Sequence, residues 1–172
     1  TFDDSNLSNL YVAQRVLKPL DIYAIFFVIY DFIELTEIQE INNFVRDRLF
    51  PNRGPFNIPE HFRNMTWDHL EYLQRQGHTI GAHTKSHPRL STLAESDLRD
   101  EIILSADLLE QKLNCEIRHF AYTFGDLQSF NTQALKLASY RFDTIFTGMR
   151  GNNYPRDNPY AIRRDSMSPS DS

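Results

Sequence analysis

The stretch Gly77-His78-Thr79-Ile80-Gly81-Ala82-His83-Thr84-Lys85-Ser86-His87-Pro88 constrains this chain more than any other. Its first part, His78 to Ala82, is too short and too glycine-punctuated for a helix and reads as a buried strand opened by the helix-stopping Gly77. His83 then stands at the strand's carboxyl end, and His87 follows four residues on, in a loop closed by Pro88. Two imidazoles so placed can reach one ion, because neutral imidazole nitrogen suits Zn²⁺ and its divalent neighbours. In a chain with six histidines the pair alone is a weak signal. The opening Thr1-Phe2-Asp3-Asp4 strengthens it. An acidic doublet after an apolar β-former reads as the mouth of another strand, where two carboxylates crowd together only at a cost that a cation or a proton removes.

A length of 172 residues suits one domain, and 41% apolar with 24% charged residues fits a chain that folds rather than one that stays disordered. A net charge of -5 gives no support for a nucleic-acid partner, which calls for a basic footprint. Cys115 is the lone cysteine, so thiol-rich metal sites and internal disulfides are excluded, and it reads as a small buried apolar residue. The longest apolar run, Ile22 to Ile33, is interrupted by Asp31 and is too short for a transmembrane segment. No signal peptide is visible. Thr1-Phe2 reads as the end of a strand whose body is missing, so the N-terminal strand is expected to be truncated, with any export signal upstream of residue 1.

Along the chain, Leu7, Leu10, Tyr11 and Leu17 have helical spacing over 6–18, stopped by Pro19. Residues 22–29 read as a strand buried on both faces. Thr36 and Gln39 have the spacing of a capping box before an amphipathic helix through Ile38, Ile41, Val45 and Leu49. Residues 51–59 form a Pro/Gly/Asn-rich loop over one end of the domain. Thr66 caps a helix over 67–76, the histidine strand follows, and a long helix carries Leu98, Ile102, Leu109 and Leu113 on one face. A strand over 117–121, a loop from Tyr122 to Ser129, a helix opened by Asn131, a strand over 142–147 and a short one at Ala161-Ile162 complete the series. Strands alternating with helices imply an α/β fold, with a parallel sheet or barrel whose site lies at the carboxyl ends of the strands. Asp3-Asp4, His83–His87 and the loop from Tyr122 to Asp126 all fall at such ends.

Three of these runs, Thr1-Phe2-Asp3-Asp4, His83-Thr84-Lys85-Ser86-His87 and Phe120-Ala121-Tyr122-Thr123-Phe124-Gly125, resemble the first three motifs of the polysaccharide deacetylases, the NodB homology domain of carbohydrate esterase family four. The resemblance runs from residue 1 to about 165, leaving a polar tail over 166–172. It implies a single domain built as a distorted (β/α) barrel of about seven strands around one divalent metal ion, zinc first, with cobalt, nickel or manganese as alternatives. It also implies Asp4, His83 and His87 as metal ligands and Asp3 as the general base toward metal-bound water. Thr84 would brace the histidine loop, the Phe124 N–H would hold the oxyanion, and Tyr122 would contact substrate. The family further suggests an extracytoplasmic or secreted location and an acetylated glycan as partner; the oligomeric state stays open.

This sequence departs from the family's pattern in three places. Ala121 stands where many members have an arginine that orients the base, and nearby Arg118 reads as surface charge. Thr123 replaces a proline. No histidine follows His119, so the late motif that supplies a general acid has no counterpart. His119 reads as a strand-flanking residue, His61, His69 and His78 as surface or capping residues, Trp67 as core, and Tyr154 and Tyr160 as surface rings able to stack on sugars. The leading expectation is removal of acetyl groups from an N-acetylated glycan. The alternatives are an O-acetyl esterase or small-amide hydrolase on the same scaffold, and an inactive glycan-binding relative.

Overall fold

Four short parallel strands carry the fold in a computed structural model, which describes residues 1–166. They are β1 (Ile25–Val28), β2 (Thr79–Ala82), β3 (His119–Ala121) and β4 (Thr144–Phe146), hydrogen-bonded in the order β1-β2-β3-β4. Phe2 forms a single parallel bridge to Phe26 outside β1, and Ile162 forms another to Phe146 outside β4. The architecture is thus a single α/β domain, and among the described residues it has four strands rather than the expected barrel of about seven. The outer positions pair through one residue each, and Ile22 and Tyr23 stay solvent-exposed, which cuts the strand expected over 22–29 down to β1. The end of the polar tail, residues 167–172, lies outside the described residues.

Helices fill the connections, as parallel strands require. Helix α1 (Leu7–Val12) runs on through Ala13–Leu17 and ends in a 3₁₀ turn that takes in Pro19. A one-turn helix, α2 (Tyr30–Glu34), follows β1 directly and has no counterpart in the apolar periodicity. Helix α3 (Ile38–Phe44) continues through Val45–Leu49; its N-cap is Glu37, and the box expected at Thr36 and Gln39 does not form. Thr66 does cap α4 (Trp67–Arg75), reciprocated by His69, whose Nδ1 accepts the Thr66 N–H at 3.1 Å. The long helix runs from α5 (Glu95–Arg99) through Asp100–Leu104 into α6 (Ser105–Leu113). Asn131 caps α7 (Thr132–Arg141), its side chain accepting the Ala134 N–H at 2.9 Å.

Most of the core packs one face of the sheet against α4, α6 and α7, with Leu70, Leu98, Ile102, Leu109 and Phe120 fully buried. A second cluster of Ile29, Phe32, Ile41, Val45 and Leu49 sits under the 51–59 loop, which lays Phe56 and Ile58 onto it. That cluster fixes the end of α3 against the carboxyl edge of the sheet. His78, expected at the surface, is buried, accepts the Ala24 N–H at 3.3 Å and meets the Phe26 ring edge-on.

Gly81 lies in the centre of β2, paired with Phe27. A Cβ there would stand 2.6 Å from the Phe27 ring and 3.0 Å from the His119 carbonyl oxygen. Gly81→Ala is expected to destabilise the fold by about 1–3 kcal/mol through overpacking, read as a lower urea midpoint; an unchanged midpoint would contradict this packing.

Candidate metal centre and active-site cleft

The acidic doublet is fixed by the sheet before its side chains act. The Phe2 N–H donates to the Ile25 carbonyl at 2.9 Å, and the Phe27 N–H donates to the Phe2 carbonyl at 2.8 Å. The Asp3 carbonyl accepts from Asn9 Nδ2 at 2.7 Å, and Ser5 Oγ accepts the Ile29 N–H at 3.0 Å. Asp4 and Ser5 both take left-handed backbone, at φ 68° and 58°. The turn lets Asp3 and Asp4, which would point to opposite sides of a regular strand, share one cleft.

His83 extends from β2 and His87 from the loop after it. Asp4 Oδ1 lies 3.4 Å from His83 Nε2 and 3.3 Å from His87 Nε2. Each ring is turned by a bond from its other nitrogen: His83 Nδ1 is 2.8 Å from the Ala121 carbonyl, and His87 Nδ1 is 2.9 Å from the Arg48 carbonyl. Since a carbonyl only accepts, both Nδ1 atoms carry the proton, and in the neutral rings both Nε2 lone pairs face the Asp4 carboxylate. Three acceptors converging at these distances call for a cation. Bonds near 2.0–2.1 Å in a tetrahedral site put ligand atoms about 3.4 Å apart, so the spacing fits a zinc-sized divalent ion. Asp4, His83 and His87 are the group among the described residues able to hold one.

The same convergence sets the protonation of the metal-free site. Burial alone would raise the Asp4 pKa, but hydrogen bonds and charge from His83 and His87 hold it well below the usual carboxylate range. Burial alone would lower the His83 pKa, but the charge of Asp3, then the hydrogen bond and charge of Asp4 and the Ala121 carbonyl, leave it raised.

The histidine loop is held from two sides. Thr84 is fully buried at φ 66°, and its Oγ1 accepts the His87 N–H at 2.9 Å, which is the bracing expected of it. Glu101, on the long helix, accepts from the Lys85 N–H at 2.9 Å, the Ser86 N–H at 2.8 Å and the Ser86 hydroxyl at 2.6 Å. Thr123, where a proline was expected, donates its hydroxyl to the Pro88 carbonyl at 2.5 Å, so a hydrogen bond supplies the stiffness a ring would have given. Of the eight non-glycine residues with positive φ among the described residues, five are Asp4, Ser5, Thr84, His87 and Phe124. Such conformations cost about 1–3 kcal/mol each, and here they gather at one place.

Asp3 has a partner that sequence reasoning missed. Arg164 donates from Nη1 to Asp3 Oδ1 at 2.6 Å and from Nη2 to Oδ2 at 2.9 Å, across 161 residues. Its Nε donates to the Thr147 carbonyl at 2.9 Å, and its guanidinium lies over the Phe27 and Phe146 rings at 5.4 and 5.8 Å. Arg118 is at the surface with Glu116 and Asp143.

Phe124 lines the cleft at φ 61°, its ring 40% exposed and 4.9 Å from that of His87. Its N–H has no hydrogen-bond partner among the described residues. The next residue, Gly125, has φ 71°, and a Cβ on it would lie 2.4 Å from the Gly148 nitrogen, so only glycine allows this loop to close on β4. Tyr122, expected to contact substrate, lines the cleft from below. It is 1% exposed and stacked on Phe130 at 4.1 Å, its hydroxyl has no partner among the described residues, and it forms the floor of the cleft. The cleft measures about 720 Å³ and is also lined by Leu49, Gly148 and Asp165.

A model of the family described as "Polysaccharide deacetylase" matches residues 1–142. No curated protein matches the chain. Among solved structures, the chain is similar to the Streptococcus pyogenes deacetylase PplD in complex with acetate, with a TM-score of 0.78 and 22% identity over 99% of this chain and 64% of that one. It is similar to the BpsB deacetylase domain from Bordetella bronchiseptica, at TM-score 0.72 and 19% identity, covering 95% of this chain and 68% of that one. A CE4 family pseudoenzyme from Bacillus anthracis is also similar, at TM-score 0.58 and 18% identity over 84% of this chain and 40% of that one. The chain therefore spans about two thirds of the first two and less than half of the third.

Two outcomes follow from the geometry. Glu101→Gln should loosen the histidine loop and lower zinc affinity by about tenfold or more, measured by competition with a chromophoric chelator; unchanged affinity would show that Glu101 does not position the ligands. Because the His83 pKa is raised, the metal-free site holds its proton to higher pH than a free imidazole would, and a metal must displace that proton. Zinc affinity should rise with pH as that proton leaves, with proton release on binding seen calorimetrically in buffers of different ionisation heat.

Proposed function

The chain belongs to the polysaccharide deacetylase family, and from that premise we propose that it is a metal-dependent hydrolase removing acetyl groups from an N-acetylated glycan. The observation that carries the reading is the adjacency of two carboxylates with different partners: Asp4 faces two imidazole nitrogens, and Asp3 faces a guanidinium. Asp4, His83 and His87 would hold a divalent ion, which when bound supplies Lewis acidity that activates water and polarises a carbonyl.

The remaining work falls to the chain itself. Asp3 accepts the proton of the attacking water, and the two bonds from Arg164 fix its carboxylate so that it faces the cleft rather than turning with solvent. The Phe124 N–H, free of other partners, donates to the oxygen that gains charge as the acetyl carbon becomes tetrahedral, a contact of a kind that contributes about 3 kcal/mol. Asp3, once protonated, returns that proton to the leaving nitrogen. The cleft continues past His87 and Phe124 into a second groove, which suits a polymer or oligosaccharide better than a small amide. Tyr154, 64% exposed, remains available as a sugar-stacking ring. The same water attack would serve an O-acetyl ester.

Zinc-loaded protein should release acetate from N-acetylated chito-oligosaccharides, lose activity to a chelator and regain it with zinc or cobalt. Asp3→Asn should lower kcat by about 10²–10⁴, and Arg164→Gln should lower kcat with little change in KM. Activity that survives both metal stripping and Asp3→Asn would contradict the mechanism.

A further inference from the structure

The second groove has a chemistry that acetyl removal does not require. It measures about 900 Å³ and shares Leu49, His87 and Phe124 with the cleft at Asp4, so it starts at a candidate metal ligand and leads away from it. Its walls carry Arg48, Arg53 and Arg89 against a single acidic residue, Asp47. That surplus of positive charge stands out in a chain whose net charge is -5.

Two of the arginines, Arg53 and Arg89, are ordered in advance. The Arg53 guanidinium lies 4.2 Å over the Phe56 ring and 5.9 Å from that of Phe50. The Arg89 guanidinium lies 4.8 Å over Phe124 and is anchored by Nη1 to Asp126 at 3.0 Å. Stacking on an aromatic face leaves the in-plane N–H groups of a guanidinium free to donate. Neither Arg48 nor Arg53 has a carboxylate within 4.0 Å among the described residues. A solvated surface could scatter arginines, but here they line a concavity that shares Leu49, His87 and Phe124 with the cleft at Asp4.

We propose that this groove binds an anionic group, a carboxylate or a phosphate ester, carried by the glycan on a sugar next to the one that loses its acetyl group. The proposal rests on the glycan deacetylase reading. It makes Arg53 and Arg48 determinants of specificity rather than of chemistry. Planar guanidinium forks match both anions in two-point hydrogen bonding, so the geometry selects charge and leaves the source open.

The test is calorimetric binding of zinc-loaded protein to three oligosaccharides of matched length: neutral N-acetylchitopentaose, an alternating N-acetylglucosamine–glucuronate oligomer, and a 6-phosphorylated chito-oligosaccharide. At least one anionic probe should bind about fivefold or more tighter than the neutral one at low salt, and the advantage should shrink as salt rises toward about 0.5 M. Preference for the second or the third probe assigns a carboxylate or a phosphate. Arg53→Gln should weaken the preferred anionic probe by about fivefold and the neutral probe by less than twofold, with Arg53→Lys intermediate. A thermal melt matching wild type shows that the Phe50–Phe56 packing has survived; if it has not, the salt dependence of wild type decides alone. Equal binding of all three probes at low salt, or equal weakening by Arg53→Gln, overturns the proposal. Acetate release with no anionic preference would sink the groove and spare the deacetylase. Anionic preference with no acetate release from any probe would do the reverse.

Discussion

Three hydrogen-bond acceptors held face to face organise this molecule. The Asp4 carboxylate and the Nε2 atoms of His83 and His87 stand within 3.4 Å of one another's nearest atoms along each Asp–His contact, and nothing neutral reconciles them. The arrangement persists because the outer nitrogen of each ring is committed to a backbone carbonyl, Ala121 on β3 or Arg48 at the end of α3. The site therefore draws on four separate parts of the chain, and the strained backbone at Asp4, Thr84 and His87 is the local cost of aiming them inward. A cation or a proton offsets that cost.

The contact between Asp3 and Arg164 belongs to both the fold and the site. Phe2 and Ile162 flank opposite margins of the sheet, and the guanidinium that lies over Phe27 and Phe146 also grips Asp3. The two margins are thereby tied at the carboxyl ends of the strands, above Asp4, His83 and His87. In the proposed mechanism the base would be oriented by the same interaction that draws the ends of the sheet together.

The sequence made the Asp4, His83 and His87 cluster legible because each half of it is a local run at a strand end, and the structure brings the three together. The bracing role of Thr84 and the caps at Thr66 and Asn131 could be read for the same reason, since caps and turns act over three or four residues. Arg164 could not be read, because its partner lies 161 residues away and Arg163-Arg164 looks like any surface pair. The place of Tyr122 could not be read, because a tyrosine at a strand end fits a rim or a floor equally well, and the ring of Phe130 decides between them. The length of β1 was overread for a related reason: residues 22–29 are apolar enough for a long strand, but pairing along β1 ends where β2 ends, and the outer positions at Phe2 and Ile162 pair through one residue each. The family resemblance, read from three short motifs, is upheld over residues 1–142.

Diffraction at the zinc absorption edge from crystals grown with one equivalent of zinc addresses the central claim most directly. The account requires one anomalous peak bounded by Asp4, His83 and His87, with Asp3 still paired to Arg164 and not bound to the ion. A peak elsewhere, or the three side chains turned apart with the ion absent while acetate is still released, would contradict it.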